Sequence, residues 1–89
     1  MTERSEVYAA IDSERDYQNV RWGPDKTDTG HLHSITEWLV YMRDYIEEAL
    51  HAESRMATRD ADKVALEIIR KVSALGVVAM EQHGAPLRK

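Results

Sequence analysis

The chain has 89 residues, no cysteine, and 12 Lys and Arg against 16 Asp and Glu, a formal charge of −4. One domain of this size buries only ~65% of its unfolded surface, so help from a partner chain is plausible from length alone. The missing cysteines exclude disulfides, thiol catalysis and cysteine-type zinc sites, and the acidic balance gives no general field for DNA or RNA.

No run approaches the ~18 apolar residues of a membrane span, and the opening "MTERSEVYAA" is charged where a signal peptide is apolar. The expectation is a soluble, cytoplasmic protein with a single helical domain, 1–89. The first predicted helix, about 4 to 21, carries Val7, Tyr8, Ile11, Tyr17 and Val20 among charges, a weakly amphipathic pattern. It ends at "WGPDKTDTG", where Gly23, Pro24 and Gly30 bracket a polar loop.

Ser34 followed three residues later by Glu37 is a capping box, with the serine accepting from a free amide of the first turn and the glutamate reaching back. Ile35, Trp38, Leu39, Met42, Ile46, Ala49 and Leu50 then recur at three- and four-residue spacing, which predicts one buried face with Glu37, Asp44, Glu47, Glu48 and His51 outside it.

The third helix is predicted to start near Thr58 to Ala61 and to stop at "HGAP", with Gly84 as a left-handed terminator and Pro86 beyond. Ala61, Val64, Ile68, Val72, Leu75 and Ala79 make one seam, enough to meet the second helix in an antiparallel hairpin. A second row, Leu66, Ile69, Val77 and Met80 with Ser73 and Gly76 alongside, has no evident partner within the chain. An unpartnered apolar row of this length marks an association surface.

Arg70 stands on the rim of that row and Lys71 on its other border. Each can lay its methylene stem on apolar surface with its head in water or on an acid such as Glu67. Alternatively, Arg70 is an interface arginine whose planar fork grips phosphate or carboxylate. The loop gathers donors, Lys26, Thr27, Thr29, His31 and His33, near two glycines, without the spacing of a P-loop. Asp28 with His31 and His33 is a weak metal pattern. Trp38 belongs to the core stripe, while Tyr8 and Trp22 offer flat faces to a base. Acids of the second helix, if paired with acids of the third, would suit magnesium and water activation.

The segments "SERDYQNVRWG", "HSITEWLVYMRDYIEEAL" and "ALEIIRKVSALGVVAMEQHGAP" together resemble a group of small phage proteins often labelled MazG-like, with "IRKVSALGVVAMEQHGAP" the most specific part. One implied activity is that of an all-α magnesium-dependent nucleotide pyrophosphohydrolase, which needs EExxE on one helix and ExxD on the next. Here His51 follows Glu47 and Glu48 where the third glutamate should stand, and Arg70 follows Glu67 where the aspartate should be.

The other resemblance is to the phage anti-CBASS type 2 sponge family, which implies an all-α fold of a short N-terminal helix and a long antiparallel helical hairpin, assembled as a homohexamer. It implies sequestration of cyclic dinucleotides, such as cyclic GMP-AMP, and of cyclic trinucleotides, without cleavage, in the cytoplasm of an infected bacterium. No cofactor, nucleic acid or membrane is implied. Carried to this chain, the dinucleotide site takes Tyr8 as the stacking tyrosine and Lys26, Thr27 and Thr29 on the phosphates. The trinucleotide site takes Arg70.

Overall fold

A computed structural model describes residues 1–22, 32–55 and 59–89, and these are all-helical, with no strand among them. Helix α1 spans Arg4–Trp22, α2 spans Ile35–Arg55 and α3 spans Arg59–His83. At 19 residues α1 is nearly as long as the 21-residue α2.

The ends of α2 and α3 form where local chemistry directs. The Ser34 amide donates to Glu37 Oε1 at 2.9 Å and the Glu37 amide donates to Ser34 Oγ at 3.0 Å, the reciprocal bonds of a capping box. Those two bonds to Ser34, backbone first, and the neighbouring His33 hold the Glu37 carboxyl below its ordinary range. Asp60 and Asp62 lie in the first turn of α3, favourable to the helix dipole. Gly84 ends α3 at φ +114°, with its amide donating to the Met80 carbonyl at 2.8 Å. The predicted start at Thr58 lies outside the described residues.

Helix α3 is central, since both α1 and α2 pack on it. Its predicted seam holds: Ala61, Ile68 and Leu75 are buried, and Val64, Val72 and Ala79 are half-buried. Ala74 and Val78 are buried as well. Trp38, Leu75 and Val78 form the centre of the core, with Trp22, Met42, Tyr45 and Ala79 packed around them.

The expected stripe on α2 splits in two. Trp38 is buried and Met42, Tyr45, Ala49 and Ala52 are half-buried, but Ile35, Leu39, Ile46 and Leu50 are 58, 59, 48 and 63% exposed. A single neighbouring helix covers only part of a helix circumference, and the contact line passes through the narrower row. The start of α2 is tied to the end of α3: Gln82 Oε1 accepts from Trp38 Nε1 at 2.9 Å and from the His33 amide at 3.2 Å, and His83 Nε2 donates to the His33 carbonyl at 2.6 Å. At the other end, Glu53 of α2 meets Asp62 of α3.

The first helix departs further from its apolar pattern. Val7, Tyr8, Tyr17 and Val20 are exposed, and the residues buried on α1 are Glu14 and Gln18. Polar partners on α3 explain the choice: Arg70 Nε donates to Glu14 Oε1 at 2.8 Å, Arg15 Nε to Glu81 Oε1 at 2.5 Å, and Gln18 Nε2 to the Lys71 carbonyl at 3.2 Å. The buried Ala74 and Val78 lie between those attachment points along α3.

Candidate functional site

Among the described residues this packing produces an apolar surface, an arginine at its rim and a cavity. The apolar surface lies on α2 and α3. A Cβ on Gly76 would lie 3.8 Å from Met42 Cε, so those positions face each other. Counting about 100° per residue from that contact, Ile35, Leu39, Ile46 and Leu50 on α2 fall within about 80° to one side, as do Leu66, Ile69 and Met80 on α3. With the start of α2 beside the end of α3, both rotations lead to the same side of the helix pair. Leu66, Ile69 and Met80 are 64, 56 and 46% exposed. Seven large apolar side chains, roughly half exposed, present on the order of 800 Å². That exceeds a typical monomer's patch and approaches one side of a standard protein interface.

At the rim of that face, about 40° beyond Leu66 around α3, Arg70 pairs with Glu14 of α1. The Glu14 side chain is 6% exposed and that of Arg70 is 41% exposed. Only Nε of Arg70 is engaged; its two Nη groups make no hydrogen bond to the described residues and retain the donors that grip an anion. Arg70 therefore pairs with Glu14 across helices rather than with Glu67 on its own. Tyr8 is 61% exposed on α1, six residues before Glu14 and about 120° around the helix from it. Lys26, Thr27 and Thr29, with Asp28 and His31, lie outside the described residues.

The cavity lies on the side of α2 away from the apolar face, with a volume of about 500 Å³. Trp22 at the end of α1, Trp38, Tyr41 and Tyr45 on α2, and His33 supply its aromatic walls; Leu75 of α3 also lines it. The rings are mutually fixed, since His33 stands edge-on to Trp38 at 5.0 Å and to Tyr41 at 5.5 Å between centroids, and Trp38 to Tyr41 at 5.9 Å. Asp44 and Glu48 add two carboxylates, and the described lining contains no lysine or arginine. Lys71 Nζ lies 5.8 Å from the Tyr45 ring centroid, within cation–π range.

The sequence pattern puts Trp38 in the core stripe and Trp22 at a loop entrance, and the fold brings both together with Tyr41 and Tyr45. The signal was present: Trp38, Tyr41 and Tyr45 recur at three and four residues, so they share a flank of one helix. Among the described residues no three His, Cys, Asp or Glu side chains converge as a metal site would require. Glu47 and Glu48 thus share no such cluster with Glu67. No family model, curated protein or solved structure matches the chain.

Proposed function

We propose that the chain is a self-associating helical protein that binds cyclic di- and trinucleotides and sequesters them uncleaved, inhibiting CBASS immunity in the cytoplasm of an infected bacterium. The observation that carries this reading is the broad apolar face of α2 and α3, together with the free donors of Arg70 on α3. The chain's resemblance to the type 2 sponges supplies the ligand class. In this reading α2 and α3 form the antiparallel hairpin of a homohexamer. Tyr8 stacks on a base and Lys26, Thr27 and Thr29 hold the phosphates of a dinucleotide, while Arg70 serves the trinucleotide.

Light scattering should report several chains at micromolar concentration, and Ile69→Glu should reduce the mass by placing a charge in the contact. Calorimetry with cyclic GMP-AMP and a cyclic trinucleotide should give binding, and chromatography after heating should return each ligand intact. In the same assays Lys26→Ala or Tyr8→Ala should weaken the dinucleotide and Arg70→Ala the trinucleotide, by ~1–3 kcal/mol each. A monomer that binds neither ligand would overturn the proposal, and magnesium-dependent release of pyrophosphate would replace it with the MazG-like hydrolase.

A further inference from the structure

We infer that the cavity between the end of α1 and α2 binds an organic cation, a methylated or otherwise bulky ammonium group carried on a larger body. This inference does not rest on the cyclic-nucleotide reading, and the described lining is opposite in charge to an anion site. Four large aromatic side chains line it, and an aromatic ring attracts cations to its face through its quadrupole. Asp44 and Glu48 reinforce that preference with full negative charge, whereas an anion entering here would meet both carboxylates.

Neither carboxylate is already neutralised by a close cation. Glu48 has no hydrogen-bond or ion-pair partner among the described residues. Asp44 faces Arg43 at 4.0 Å, with both side chains about two-thirds exposed, which makes a weak surface pair. The Lys71 ammonium already engages one face of the Tyr45 ring, so Trp22, Trp38 and Tyr41 supply the faces left to a ligand. A volume of about 500 Å³ also fits a small-molecule pocket and leaves room beyond an ammonium head for an apolar portion against Trp22 and Leu75.

The probe pair is choline and its neutral isostere 3,3-dimethylbutan-1-ol, titrated into the full chain and followed by tryptophan fluorescence and calorimetry. Trp22 and Trp38 are the only tryptophans of the sequence and both line the cavity, so the fluorescence reports on this site. Choline should bind roughly 5–30-fold more tightly than the isostere, the range expected of a cation among aromatic faces. The double variant Asp44→Asn, Glu48→Gln should lose most of that preference while keeping its helical circular dichroism, since both positions are exposed. Tyr41→Ala, which removes a wall, should weaken choline while leaving the carboxylates in place. Excess cyclic GMP-AMP should not displace choline. Equal binding of the two probes, an unaltered preference in the double variant, or competition by the anionic nucleotide would each overturn the assignment.

Discussion

Removing Arg70 tests the attachment of α1 most directly, because the contact joins a buried carboxylate to a half-exposed guanidinium. Two unit charges about 4 Å apart attract by about 4 kcal/mol at an effective dielectric of ~20. The Arg70 side chain is 41% exposed, so solvent screening lowers the share lost on deletion to about 2 kcal/mol. The Glu14 side chain, 6% exposed, would be left without its hydrogen-bond partner. Arg70→Ala should therefore shift the urea midpoint down by on the order of 1–2 M for a domain with a slope of ~1–2 kcal/mol/M.

The double variant Glu14→Leu, Arg70→Leu should recover most of that loss, because it leaves no uncompensated charge and covers the same surface with apolar groups. All variants need comparison at one protein concentration, since mass action contributes to the stability of an oligomer. The coupling from the four-way comparison, Glu14→Leu included, should exceed ~1 kcal/mol. Purely additive losses would refute the claim that this pair secures α1.

Ser34→Ala removes the cap acceptor for the Glu37 amide and should destabilise the fold by ~1 kcal/mol, read as a lower urea midpoint; an unchanged midpoint would show that the cap bond is satisfied otherwise. The hydrogen bond with Asp62, followed by burial, raises the Glu53 carboxyl above its ordinary range. Its contribution is present in full at low pH, below the unfolded glutamate's ~4.3, and is lost as pH rises through the raised folded value. Glu53→Gln donates to Asp62 at every pH, so its melting temperature should exceed that of the parent at pH 7, with the difference narrowing toward pH 4. A constant difference across that range would exclude the coupling.

Periodicity identified the helices because each element has strong local stop and start chemistry. Ser34 with Glu37 and Gly84 in the left-handed region are punctuation that tertiary packing does not override. The seam of α3 was legible for a related reason: with two neighbours packed on the helix, its apolar side chains other than Leu66, Ile69 and Met80 are buried or half-buried, so hydrophobicity and burial coincide along that seam. On α2 they do not coincide. Ile35, Leu39, Ile46 and Leu50 are as apolar as the residues of the contact row, and nothing in a single chain's pattern says which of two adjoining apolar rows meets the partner helix.

The interface of α1 was illegible for the opposite reason, and the failure has a physical content. Of the weakly amphipathic set Val7, Tyr8, Ile11, Tyr17 and Val20, only Ile11 is half-buried, whereas the chain buries Glu14 and Gln18. That arrangement is stable only if those polar groups find specific partners at the right positions on α3, information carried by Arg70 and the Lys71 carbonyl and invisible on α1 itself. Gln18 Oε1 is also buried there with no hydrogen-bond partner among the described residues. A helix attached by charge-assisted bonds, with Val7, Tyr8, Tyr17 and Val20 turned outward, gains from the hydrophobic effect within one chain chiefly through Trp22 and Ile11. Those exposed groups, like the apolar face of α2 and α3, would gain from it if a second copy covered them. The apolar surface this chain carries exceeds what its own three helices bury.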